Sequence, residues 1–144
     1  MSVMTQWGYA IDADRLPDII TPIEFDLYTV GKYMGDGRVT PGIAAASTAI
    51  RNYCGWHISP SEDCTFSEHI LYGNGRIKLD GCDILIQLPA TFVSGVSSVT
   101  IGAEAFTDFA IEQNGLLHVF DVPGRCLNRK TKITVVYTAG YDDD

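Results

Sequence analysis

Hydrophobic positions follow a helical period over residues 21–55 and a period of two from His57 onward, so the chain reads as a short helical part followed by a β part. Thr21-Pro22-Ile23-Glu24 has the form of a capping box. In that motif Thr21 accepts from the Glu24 N–H, Glu24 reaches back, and Pro22 sits in the first turn, where its missing N–H costs nothing. The apolar face of this helix runs Ile23, Leu27, Val30, Met34, and Gly35-Asp36-Gly37 breaks it. A second helix is predicted to open at Thr40-Pro41, to place Ile43, Ala46, Ile50 and Tyr53 along one side, and to stop at Gly55. Ala44, Ala45 and Ala46 favour helix and leave a thin flank against which another element can pack.

In the β part, turn dipeptides replace helix caps. Asn74-Gly75 follows Phe66 to Tyr72, Asp80-Gly81 divides Arg76–Leu79 from Asp83–Leu88, and Asn114-Gly115 divides Phe109–Gln113 from Leu116–Phe120. Each accepts the positive φ angles of a tight hairpin. Ile77 and Leu79, then Ile84, Ile86 and Leu88, then Ile133, Val135 and Tyr137 alternate, so each strand can turn one face inward. Val96 to Ile101 adds a strand, Pro89 ends one, and Ala139-Gly140-Tyr141 closes the last. Five to seven antiparallel strands are expected. Residues 1–20 have no clean period but carry Trp7, Tyr9, Ile11, Leu16, Ile19 and Ile20, which suggests an arm docking on its own domain or on a neighbour. The expected fold is α+β: short N-terminal helices packed on a C-terminal antiparallel β-sheet or small sandwich. Residues 1–144 form one domain, divided into an arm (1–20), a helical pair (21–55), a β region (57–141) and an acidic tail (142–144).

A chain of 144 residues can bury a real core without staples, and 46% hydrophobic with 19% charged residues excludes disorder. Ten basic against eighteen acidic side chains give a net charge of -8, which opposes non-specific attraction to nucleic acid or to an anionic membrane. Apolar runs are far too short to cross a bilayer and no signal-peptide pattern opens the chain, so a soluble, unsecreted protein is expected. Cys54, Cys64, Cys82 and Cys126 form no CxxC pair and read as scattered buried thiols of a reducing compartment.

Chemistry-bearing motifs are missing. His57, His69 and His118 lie in no zinc-ligand spacing; Cys54 and His57 are three apart, but no second pair follows, so a core thiol and a surface or interface imidazole are expected. GxSxG is absent, and Gly35-Asp36-Gly37 and Gly73-Asn74-Gly75 lack the ending of a phosphate loop and read as turns. Neither a catalytic residue, a cofactor nor a metal is expected. Arg125, Arg129, Lys130 and Lys132 interrupt the acidic chain, as a solvated loop or as a patch that pairs with acidic surface on a partner, an identical copy included, with a nucleic-acid site third because no aromatic residues interleave with these charges.

Several segments resemble the head-tail connector (adaptor) proteins of long-tailed phages. They are Pro22 through Tyr53 with Gly-Lys-Tyr-Met-Gly-Asp-Gly-Arg-Val at 31–39, then Ala-Ala-Ala-Ser-Thr-Ala-Ile-Arg-Asn-Tyr-Cys-Gly-Trp-His-Ile at 44–58, Leu88-Pro89 leading into Val96-Ser97-Ser98-Val99, and the closing Val135-Val136-Tyr137-Thr138-Ala139-Gly140-Tyr141-Asp142. The resemblance runs in order over residues 22–142; the β part is larger than a purely helical connector needs. It implies a structural virion protein and no enzyme. Copies, commonly twelve, form a ring between the portal protein and a stopper or tail-completion protein, and DNA passes through the central channel unread. The implied location is the virion neck at the capsid vertex, after synthesis in the host cytoplasm, with no membrane. On that reading an acidic lumen repels DNA phosphates. The helical pair is expected to form one side of the ring contact, and strand edges or the basic loop the other. Candidate interface residues are the aromatic anchors Trp7, Tyr9 and Trp56, the basic Arg125, Arg129, Lys130 and Lys132, and the terminal Tyr141 and Asp142. The alternatives are a β-rich binding module for a surface carbohydrate or protein, which needs a concave aromatic face, and a small hydrolase, which needs a nucleophile beside a base.

Overall fold

The computed structural model describes residues 2–70, 75–128 and 130–142. Strands β1 (Val3–Met4) and β2 (Tyr9–Ile11) precede helices α1 (Pro22–Tyr28) and α2 (Val39–Cys54). There follow β3 (Glu62–His69), β4 (Ile77–Asp80), β5 (Asp83–Gln87), β6 (Val93–Ile101), β7 (Glu104–Phe106), β8 (Phe109–Ile111), β9 (Leu116–Val119) and β10 (Lys132–Ala139). The strands make two antiparallel sheets, ordered β1-β2-β3-β10-β6-β7 and β4-β5-β9-β8.

The expected α+β fold, with helices packed on a sheet, is overturned: among the described residues ten strands form the two sheets, and only 21% are helical. The reason lies in what covers the apolar strand faces. Phe66, Val99, Ile101, Ile133, Val135 and Tyr137 of one sheet and Ile84, Ile86, Leu117 and Val119 of the other belong to one hydrophobic cluster, and no residue of α1 or α2 belongs to it. At about 1.5–3 kcal/mol per fully buried large side chain, this cluster is the main favourable term of folding. The strands themselves supply both layers, so the helices are not needed as a lid.

The alternation read from the sequence is observed. In β10 Ile133, Val135, Tyr137 and Ala139 are buried while the residues between them are more exposed, and in β5 Ile84 and Ile86 point inward. The β4–β5 hairpin pairs Asp80 with Asp83, so its two-residue loop is Gly81-Cys82, with Gly81 at φ 64°. Asn114 and Gly115, between β8 and β9, both have positive φ. The Asn74-Gly75 turn lies partly outside the described residues, because Asn74 is not among them. Against β10, β6 shifts register twice, leaving Ser97 and Ser94 as the extra residues of its bulges.

The strand count exceeds the expected five to seven partly because residues 1–20 are not a loose arm. β2 pairs with β3, and Tyr9 and Ile11 enter the core, so the N-terminal segment docks on its own domain. Gly140 is dictated by space: its φ is 120°, and a Cβ there would stand 2.9 Å from His57 Nε2 and collide with the Pro60 carbonyl oxygen.

The capping box at α1 forms, with Glu24 N–H donating to Thr21 Oγ1 (3.2 Å) and Thr21 N–H to Glu24 Oε2 (2.6 Å). α2 differs from expectation at its start. It opens at Val39 behind Arg38 without a side-chain cap, and Gly55 ends it in the left-handed conformation.

Ile86→Ala should cost about 2–5 kcal/mol of unfolding free energy, as large-to-small core changes do. Leu27→Ala on α1 should change it by less than about 0.5 kcal/mol. Urea unfolding of both variants checks this division, and a loss at Leu27 equal to that at Ile86 would show that α1 closes the core.

Candidate functional site

α2 meets the sandwich along a line that is mostly polar. Its buried residues are Ile43, Ser47 and Arg51, one helical turn apart; of the predicted stripe Ile43, Ala46, Ile50 and Tyr53 only Ile43 is buried. Ser47 Oγ accepts from the Ile19 N–H (2.9 Å). The Arg51 guanidinium donates from Nε to the His57 carbonyl (2.8 Å) and from Nη2 to the carbonyls of Pro17 (2.7 Å) and Ser59 (2.6 Å). One buried cation thus ties the helix to the segment before α1 and to the turn before β3. Burial lowers its pKa, opposed by the nearby Asp18, and the guanidinium keeps its proton.

His57 continues this junction into the core. The Tyr9 hydroxyl accepts from the His57 backbone N–H (3.0 Å) and lies 2.9 Å from Nδ1, while Nε2 lies 2.8 Å from the Ala139 carbonyl. A carbonyl only accepts, so Nε2 carries the proton, and the Tyr9 hydroxyl then donates to a bare Nδ1. Every polar atom of the imidazole is satisfied in its neutral form. Burial, with Arg51 nearby, pulls the His57 pKa below its ordinary value, and burial pushes the Tyr9 phenol up.

The outer side of the helical region is apolar and uncovered. Ile23 (73% exposed), Leu27 (76%) and Val30 (91%), predicted to be an inward face, point to solvent, as do Met34 and Tyr53. Val30 is a β-branched residue held at φ 55°, an uncommon and costly conformation. Beside this ridge lies an open groove of about 490 Å³, walled by Ile20, Phe25, Tyr33, Val39, Ile43 and Ile50. Phe25 and Tyr33 lean together with ring centroids 6.0 Å apart. Polar groups at the rim satisfy each other: Arg38 Nη2 donates to Asp36 Oδ2 at 2.8 Å, which holds the Asp36 carboxyl below the usual range.

The residues singled out from the sequence separate into distinct places. Tyr9 and Trp56 are corrected from interface anchors to core residues, since both are buried. Trp7 is partly buried and stacks on Tyr9, 6.1 Å between centroids. Arg125 is exposed and forms an intramolecular pair with Glu104 (3.2 Å), which holds that carboxyl down. Lys130 and Lys132 are exposed, and Arg129 lies outside the described residues. Tyr141 is 49% exposed and stacks on Phe92 (4.5 Å, 13°), with Trp56 tilted against it at 6.0 Å. Asp142 Oδ1 accepts from the Ser61 N–H (3.2 Å). The structure therefore gathers Trp56 and Tyr141 at one place and leaves the basic residues elsewhere.

The expected thiol and imidazole environments are reversed: Cys54 is exposed and His57 buried. Of the four cysteines, all free, Cys64 and Cys126 are buried and Cys54 and Cys82 exposed. Burial pushes the Cys64 thiol up to about 12, so it is a poor nucleophile at neutral pH. His118 Nε2 lies 2.9 Å from Asp83 Oδ2, with Glu112 Oε1 3.7 Å from Nδ1 and the Phe120 ring 4.1 Å away. That cluster has a base and two acids, with no serine or cysteine among the described residues bonded to it. Among the described residues no group of three His, Cys, Asp or Glu side chains could hold a metal ion.

No protein-family model matches the chain, and neither a curated protein nor a solved structure is significantly similar to it.

Arg51→Lys replaces a planar fork by a point donor and leaves carbonyls without partners, so it should destabilise the protein by about 1–3 kcal/mol in denaturant unfolding. For His57, the folded protein holds the ring neutral while the unfolded chain takes up a proton near pH 6.5. The stability this ring confers is complete above about pH 6.5 and declines as the pH falls below it. Between about pH 7.5 and pH 5 the wild type should lose more stability than His57→Gln; equal losses would mean that His57 is not the group responsible.

Proposed function

We propose that the chain is a structural subunit of a phage neck, a head-tail connector that assembles into a ring between portal and stopper or tail-completion protein. The observation behind this reading is the set of exposed large apolar side chains within residues 23–53, since clustered exposed apolar surface marks interaction sites. Tyr28 and Tyr53 are both at least 90% exposed, and at about 150–250 Å² per aromatic side chain they alone offer about 300 Å². With Ile23, Leu27, Val30 and Met34, the surface approaches the roughly 800 Å² per partner of a standard interface. The ordered run of segments resembling connectors over residues 22–142 supports the same role.

Charge favours it as well. Residues 19–55 hold three acidic and three basic side chains, so the whole charge of -8 resides on the remainder of the chain. Identical copies meeting through the neutral part avoid like-charge repulsion, and an acidic remainder around a channel lets DNA slide past without binding.

A β-rich binding module has one observation in its favour, the half-exposed Phe92–Tyr141 stack. Its rings cover one another's faces, which leaves less platform for a sugar ring than a concave aromatic sheet would.

Light scattering after size separation, with electron microscopy of the peak, should show closed rings of the purified protein, alone at high concentration or after portal protein is added. A particle that stays at 15.7 kDa under all these conditions would refute the connector role.

A further inference from the structure

We propose that the ridge made by Ile23 and Leu27 of α1 and Val30 in the turn just beyond it on one copy seats in the groove between α1 and α2 of the next copy, so that one helical unit supplies both halves of the ring contact. This deepens the connector reading and rests on it. It also departs from the expectation that strand edges or the basic loop complete the contact.

The first support is that both shapes occur on one molecule. The ridge residues are among the most exposed large apolar side chains of the protein, and none of them lines the groove. A protruding patch that complements a different patch on the same chain makes a heterologous contact, which closes into a ring or runs on as a filament.

The second support is the chemistry of the groove. Its volume of about 490 Å³ falls in the range of small-molecule pockets, but such pockets present a few convergent polar groups to their ligand. Here the polar groups are engaged: Asp36 with Arg38, and Ser47 with the Ile19 N–H. What remains is an aliphatic and aromatic wall suited to aliphatic side chains.

The third support decides between an identical copy and another partner. Each molecule carries -8, yet ridge and groove both lie in the neutral stretch 19–55. An acidic chain that must meet itself many times is best served by such a surface. The strained backbone of Val30 lies within the ridge and holds a branched side chain, 91% exposed, outward; strain of this kind clusters at functional sites such as ligand clamps.

The test uses the full chain. Leu27→Lys spoils the ridge and Ile50→Glu spoils the groove, and both positions are exposed enough for each variant to keep the wild-type circular dichroism and unfolding midpoint. Each variant alone should assemble at least about tenfold more weakly, as hot-spot substitutions do. An equimolar mixture should recover assembly, because intact ridge meets intact groove at alternate joints, and at the others the introduced ammonium of one variant meets the introduced carboxylate of the other. A photo-crosslinker at position 27 should attach to residues 39–50 of a second copy. Assembly of either variant at wild-type strength, failure of the mixture to recover, or crosslinks to the β-sandwich or to portal instead would overturn the ridge-in-groove contact while leaving the ring itself standing. A wild type that never assembles, with or without portal, would remove the connector reading and this contact together.

Discussion

A single buried guanidinium sets the relation between the two parts of this protein. Arg51 donates to main-chain carbonyls, those of Pro17, His57 and Ser59. Three neutral acceptors compensate the desolvation of the charge only because the guanidinium fork reaches them all from one helix position. The same contact orders the chain on both sides of α2, before α1 and before β3. One of the carbonyls belongs to His57, whose ring in turn links β2 through Tyr9 to the end of β10 at Ala139. The hydrophobic cluster gives the sandwich its stability, and this polar chain gives the helical unit its place.

The consequence is an unusual division of apolar surface. Helices in a mixed fold ordinarily spend their hydrophobic face on a sheet. Here the sheets cover each other, α2 turns a serine and an arginine inward beside Ile43, and the aliphatic residues of α1 are left exposed. A polar attachment inside and an apolar surface outside reverses the usual order, and that reversal is physically sensible when burial is completed by another chain.

Much of the β part was legible because alternation and turn chemistry are local. Ile133, Val135 and Tyr137 declared their inward face, Asn114-Gly115 its positive φ angles, and Thr21 with Glu24 the capping box. The helical faces were misread for a reason local patterns do not contain. Ile23, Leu27, Val30 and Met34 have the spacing of a core-facing stripe whether the surface they meet belongs to the same chain or to another. Arg51 was invisible as a buried residue because long cations are normally exposed, and its acceptors come from positions 17, 57 and 59. Tyr9 and Trp56 looked like anchors for a partner because aromatic residues serve both cores and interfaces. The burial of Tyr9 follows from the pairing of β2 with β3, a contact between residues more than fifty positions apart.

The strands at the borders of the two sheets are short: β1 has two residues, β7 and β8 three each, and β4 four. Each of these end strands therefore offers a foreign strand few main-chain hydrogen bonds, and the stretch of β6 that β7 leaves uncovered, Val93–Ser98, is interrupted by bulges; both are ways in which natural sheets resist edge-to-edge aggregation. For a protein that leaves apolar helical side chains exposed, this matters most when copies are concentrated. Short and bulged borders give a poor ladder for backbone pairing, which is indiscriminate and open-ended where contact through side-chain shape is specific and finite.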